Sequence, residues 1–154
     1  MSRASCVLSI VVAAMVPTAS ASVLGDALNT KLKGAWAVTE VEVFSSCSGT
    51  YNDNTLGEMG VASKASRRFA SGEIVKIDRI KARRQRVDLM LTLAETVRVA
   101  RSDGPFTLYD ERTCKVQLII PVPREEIKAG NVEAILDRIT APFELFTSLE
   151  EARD

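Results

Sequence analysis

Residues 73–101 read EIVKIDRIKARRQRVDLMLTLAETVRVAR, and within this stretch Val87, Leu89, Leu91 and Leu93 fall on every second position, with Arg86, Asp88, Met90 and Thr92 between them. A period of two is that of a strand with one buried face. The same parity resumes at Val97 and Val99. Upstream, Ile74, Ile77 and Ile80 fit a helix face as well as a strand. The β-branched content and the Arg83-Arg84-Gln85 corner ahead of the alternating run favour a hairpin. A helix over 73–82 would instead be basic and amphipathic, suited to a membrane surface.

Downstream, the turn Ser102-Asp103-Gly104-Pro105 leads into Phe106 and Leu108. Val116, Leu118, Ile120 and Val122 then alternate with Lys115, Gln117, Ile119, Pro121 and Pro123. Proline donates nothing to a ladder, so this strand should end at a sheet edge near Pro121. Ahead of the quoted stretch, residues 35–44 are strand-like, but their apolar positions change parity between Trp36/Val38 and Val41/Val43. A bulge at Thr39 and Glu40 would reconcile them. Residues 45–60 read as a polar, turn-rich loop, and 61–70 offer one strong anchor, Phe69. The expected fold is α+β and mainly β: a small antiparallel barrel or rolled sheet of five or six strands over about 35–123, with the layout of an SH3-like barrel by analogy of architecture only.

Helices are expected at both ends. Leu24, Ala27, Leu28 and Leu32 recur at helical spacing before a stop at Gly34. After Pro123, Glu125 and Glu126 suit a first turn, Gly130-Asn131 breaks and restarts the helix, and Ile135, Leu136 and Ile139 continue it. Pro142 opens another short piece, and Ser148 with Glu151 has the spacing of a capping box. Phe143, Leu145, Phe146 and Leu149 are expected to cover an open end or face of the sheet. Residues 22–154 thus read as one domain, with a helical part over about 124–154.

Residues 1–21 read as a secretory signal: Arg3, an apolar run from Cys6 to Val16, Pro17, then Ala19-Ser20-Ala21 as a small-x-small cleavage site. The apolar run is about half of what a membrane span needs, and no later segment has the length of a transmembrane helix. Cleavage leaves Cys47 and Cys114, without Cys-x-x-Cys spacing, and in an oxidising compartment such a pair reads as a disulfide. The chain is expected to be secreted or periplasmic.

The whole chain carries 20 basic and 20 acidic residues; loss of Arg3 leaves 20 − 1 = 19 against 20. A balanced total favours no partner class, so only the distribution of charge informs. The chain has no histidine, which removes the commonest general base, the usual triads and most zinc sites. Asn52, Asp53, Asn54 and Glu58 are oxygen ligands of the kind calcium accepts but lack the Asp-x-Asp-x-Asp-Gly order. Asp110 and Glu111, with Tyr109 beside them and Asp103 at the preceding turn, are the candidate carboxylates for a hydrolase, though neighbours on a strand face opposite ways.

Charge asymmetry is the stronger signal. Lys64, Arg67, Arg68, Lys76, Arg79, Lys81, Arg83, Arg84 and Arg86 stand against Glu73 and Asp78 between positions 64 and 86, while the residues from Glu125 onward are strongly acidic. A basic hairpin attracts anions. The expected function is non-enzymatic binding, with Lys76, Arg79, Lys81, Arg83, Arg84 and Arg86 facing an anionic envelope component or an acidic protein. No cofactor and no metal are expected. Nucleic acid is disfavoured by the signal sequence and by the lack of aromatic residues in the basic run after Phe69. The alternatives are a structural or self-assembling envelope protein, a homo-oligomer pairing its basic hairpin with its acidic C-terminal helices, and, third, a carboxylate-dependent hydrolase.

Overall fold

A computed structural model describes residues 20–154, so the signal reading of 1–21 lies almost wholly outside the described residues. In chain order the elements are α1 (Ala21–Leu32), β1 (Trp36–Thr39), β2 (Val43–Ser45), β3 (Tyr51–Gly57), β4 (Gly60–Ser63), β5 (Arg67–Phe69), β6 (Ile74–Ala82), β7 (Arg86–Asp103), β8 (Phe106–Pro121), α2 (Arg124–Ala129), α3 (Val132–Thr140), β9 (Phe143–Phe146) and α4 (Leu149–Arg153).

The alternation at 87–93 does what its period predicts. Val87, Leu89, Leu91 and Leu93 are buried on one face of β7, beside Val116, Leu118 and Ile120 of β8 and Val75 and Ile77 of β6. Leu24, Leu28 and Leu32 of α1, Ile127 of α2, and Ile135 and Ile139 of α3 complete the same core. Each such side chain contributes about 1.5–3 kcal/mol on burial, so the amphipathic stripes of the helices hold them on this one face.

The mixed α+β composition matches expectation; closure into a barrel does not occur. Seven strands form one open sheet in the order β4-β3-β8-β7-β6-β1-β9, and β2 with β5 forms a separate two-stranded sheet. All neighbours in the large sheet are antiparallel except β3 and β8, which are parallel. Among the described residues the strands number nine rather than five or six. Two segments account for most of the difference. Residues 51–57, expected as loop, form β3, and residues 143–146 add to the free edge of β1 as strand β9 instead of starting a helix.

The segment 35–45 also departs from expectation. Ala37, Thr39, Val43 and Ser45 are the buried positions, so the parity never changes. The chain leaves the large sheet after Thr39 and begins the small one at Val43, with no bulge between them. Register shifts lie elsewhere: one in β6 between Ile77 and Arg79, and one in β7 between Thr92 and Thr96. The β6 shift turns Ile77 and Ile80 to the same face, which is why their three-residue spacing imitates a helix. Beyond Lys76, β1 no longer pairs with β6. There Asn29 of α1 takes over: its Oδ1 accepts from Ile80 N–H at 2.8 Å and its Nδ2 donates to Ile80 O at 2.6 Å. A side-chain amide thereby stands in for a missing strand neighbour and docks α1.

β8 stops at Pro121 as expected. It is an interior strand, but β3 reaches only to Ile119, so the proline meets β7 alone. The helix break at Gly130-Asn131 is also present: Gly130 is left-handed (φ 64°), and Asn131 caps α3 by accepting from Ala134 N–H.

Candidate anion-binding surface

The six basic residues singled out in the sequence separate into three groups. Lys76, Arg79 and Lys81 sit on the face of the sheet opposite the core, because their β6 neighbours Val75, Ile77 and Ile80 face inward. Cross-strand pairing runs Trp36, Lys76, Thr92, Lys115 and Tyr51 in one row across β1, β6, β7, β8 and β3. Lys76 Nζ lies 5.7 Å from the Trp36 ring centroid and Lys115 Nζ lies 5.1 Å from that of Tyr51. A cation held near an aromatic face keeps its charge while its stem is ordered. Among the described residues, none of Lys76, Arg79, Lys81 and Lys115 is ion-paired with a carboxylate.

Tyr51 reaches across β8 on this outer face. Its hydroxyl donates to Asp78 Oδ2 at 2.9 Å, and Thr92 Oγ1 donates to the same oxygen at 2.5 Å. Burial, then the hydrogen bond and charge of Asp78, push the Tyr51 pKa above its ordinary value of 10.0. The bulge explains Asp78: it lets two consecutive residues, Asp78 and Arg79, leave the core side together. Asp78 Oδ2 thus accepts from two hydroxyls, and among the described residues Asp78 forms no ion pair with the neighbouring cations. A polar groove of about 640 Å³ runs beside this row, lined by Tyr51, Asn52, Asp53, Thr55, Ser63 and Lys64 among others.

Arg83 and Arg86 have a different task. Both reach Asp88, whose side chain is fully buried: Arg83 Nε lies 3.2 Å from Oδ2 and Arg86 Nε 3.0 Å from Oδ1. Arg86 Nη2 also donates to Oδ2 at 3.5 Å, while its Nε contact with Oδ1 is off-line and Oδ1 accepts no aligned hydrogen bond among the described residues. A buried carboxylate needs such partners, so these two arginines hold the β6–β7 turn together. Arg84, between them, points elsewhere and lines a small cavity with Arg124 and Lys128.

Cys47 and Cys114 form the expected disulfide (S–S 2.03 Å), pinning the end of β2 to β8. Among the described residues no helix is long and apolar enough to cross a membrane. The two asparagines of the oxygen-rich cluster are committed to structure, while Asp53 and Glu58 are exposed. Asn54 is buried, accepts from Phe44 N–H at 2.7 Å and donates to Phe44 O at 2.8 Å, while Asn52 Oδ1 accepts from Ser46 N–H at 2.7 Å. These amides sew β3 to β2. Asp110 lies opposite Val99 and pairs with Arg101 at 3.3 Å, whereas Glu111 lies opposite Arg98 on the other face, where Arg98 stands over the Tyr109 ring. The two carboxylates do not converge.

Beyond Leu93, β6 no longer accompanies β7, and β3 joins β8 only from Lys115. Residues 96–103 and 106–113 therefore pair only with each other, and eight residues at about 3.4 Å each make an arm of roughly 27 Å. Its tip exposes Phe106 (69 %) and Tyr109 (62 %).

Sequence reasoning missed Trp36, Tyr51, Asp78 and Lys115 as members of the surface. Only the registers of β1, β3 and β8 bring them together, and β3 was hidden by its polar composition. No family model matches this chain, and no curated protein and no solved structure matches it either.

Proposed function

We propose that the chain is an exported, non-enzymatic binding protein whose outer sheet face meets an anionic envelope component or an acidic protein. One observation carries this reading: Lys76, Arg79, Lys81 and Lys115 share a sheet face, and none of them is paired with a carboxylate among the described residues. These four cations outnumber the unpaired carboxylates Asp53, Asp78 and Glu144 on that face, and the positive excess, densest along β6, concentrates anions and weakens with salt. The Cys47–Cys114 disulfide supports residence in an oxidising compartment. Arg83 and Arg86 add to the field but belong to the fold.

The test is co-sedimentation of the purified chain with an envelope fraction at low and high salt, beside a Lys76→Glu/Arg79→Glu/Lys81→Glu variant. Binding that falls with salt and is lost in the variant supports the reading; equal binding by both proteins refutes it.

The projecting arm favours a second reading, a structural or self-assembling envelope protein, because a lone two-stranded ribbon is marginally stable in water and here exposes Phe106, Leu108 and Tyr109. Sedimentation velocity separates the two. Concentration-dependent oligomers abolished by Phe106→Ser/Tyr109→Ser would favour assembly, and a monomer at all concentrations would remove it.

A further inference from the structure

We propose that the corner where the β6–β7 turn meets α2 is a site for a single phosphate-sized oxyanion. This rests on the reading that the chain meets anions, and it assigns one defined pocket to that chemistry. The cavity there has a volume of about 220 Å³ and is lined by Ala21, Arg84, Arg124, Ile127 and Lys128. Three cations and no carboxylate line it, and none of the three forms an ion pair among the described residues.

The arrangement is built. Arg83 N–H donates to Arg86 O at 2.8 Å, and Val122 N–H donates to Gln85 O at 3.0 Å, so the turn bearing Arg84 is tied both to itself and to the segment leading into α2. The Arg83 and Arg86 contacts to buried Asp88 lock the flanks of that turn. Arg124 and Lys128 stand four residues apart on α2, the spacing that places two side chains on one helix face. Like charges at that spacing repel, and Arg84 brings a third to them. Arg124 Nε, moreover, is a buried donor with no hydrogen-bond partner among the described residues. Such a buried unsatisfied donor on a charged group is rare in folded proteins. A tetrahedral oxyanion supplies what all three lack: negative charge to relieve the repulsion and oxygens for the guanidinium donors. Buried Ile127 gives the pocket an apolar wall, and half-buried Ala21, the last residue of the expected signal sequence, adds to it only in the uncleaved chain. The oxyanion is free inorganic phosphate, a phosphate monoester or a lipid headgroup.

The experiment is titration of the purified chain with inorganic phosphate at constant ionic strength in chloride, read by calorimetry and by thermal unfolding. In parallel, flotation uses vesicles of phosphatidylcholine with and without phosphatidic acid. The site predicts saturable one-to-one phosphate binding and a rise in unfolding temperature. Affinity should drop at least tenfold in Arg84→Gln/Lys128→Gln while the Lys76→Glu/Arg79→Glu/Lys81→Glu variant keeps it. That contrast separates failure of this site from failure of the sheet-face reading. The same Gln variant should unfold no lower than the parent in phosphate-free chloride, since it removes repulsion. Phosphatidic-acid-dependent flotation lost in the Gln variant assigns the phosphate to a lipid; phosphate binding without flotation assigns it to a soluble species. A phosphate response no larger than that of chloride, or equal affinity in the Gln variant, overturns the proposal.

Discussion

Removing Arg83 and Arg86 together should destabilise the fold more than removing the acid they serve. The Asp88 side chain is fully buried, while those of Arg83 and Arg86 are 53 % and 45 % exposed. Arg83→Ala/Arg86→Ala strands a buried carboxylate, and breaking a buried pair in this way costs about 3–5 kcal/mol. The half-exposed arginines leave a path for water once truncated, which places the expectation near the lower bound, about 3 kcal/mol. Asp88→Asn keeps the shape and returns two guanidinium groups to solvent they already touch, so it should cost only about 1 kcal/mol. For a domain of this size 1 kcal/mol corresponds to roughly 3 °C in Tm, giving falls of about 9 °C and about 3 °C. The triple variant Arg83→Ala/Arg86→Ala/Asp88→Asn should recover most of the loss, because no charge is then left buried. Urea and thermal unfolding of the four proteins measure this. If the double arginine variant is no less stable than Asp88→Asn, the two arginines are solvated surface charges and their separation from the binding face is wrong.

Other expectations concern the disulfide, the helix dock and two titrating groups. Replacing Cys47 and Cys114 by serine should cost roughly 4 kcal/mol in the loop-entropy model, and Cys47 and Cys114 of the purified chain should resist alkylation until reduced. Asn29→Ala leaves the Ile80 N–H and C=O without partners and should cost about 2 kcal/mol, read by urea unfolding. Glu73 has its pKa raised above 4.5 by burial and by Glu95. Folding therefore favours its protonated form, and stability should decline as pH rises from 4.5 through the folded-state value; Glu73→Gln should remove that slope and stabilise the chain at neutral pH. In an absorbance titration Tyr51 should ionise above 10, and Asp78→Asn should lower its midpoint by removing a negative charge and weakening the acceptor.

Much of the core was legible because its signal is periodic. The alternation at Val87–Leu93 and Val116–Ile120 needed nothing beyond burial on one face. What stayed hidden depends on side chains doing the work of backbone. Asn52 and Asn54 made residues 51–57 resemble a loop, yet their amides bond β2 and allow a polar strand to lie inward. Missing that strand meant missing its parallel pairing with β8, and with it the fact that the sheet stays open. The bulge at Asp78 disguised a strand as a possible helix and also put Asp78 on the outer face. For the site, charge counting found the basic run but not its division. Sequence adjacency groups Arg83, Arg84 and Arg86, whereas a buried acid two residues further on claims two of them. Asp88 was visible within the strand alternation, but nothing local shows that an outward-facing residue is covered.

Modification of lysines in the chain with and without a bound envelope fraction tests the central claim most directly. The sheet-face reading predicts that Lys76, Lys81 and Lys115 are protected on binding at low salt, while Lys31 and Lys33 at the end of α1 remain as reactive as in the free chain. Protection of Lys31 and Lys33 with Lys76, Lys81 and Lys115 unchanged would contradict it.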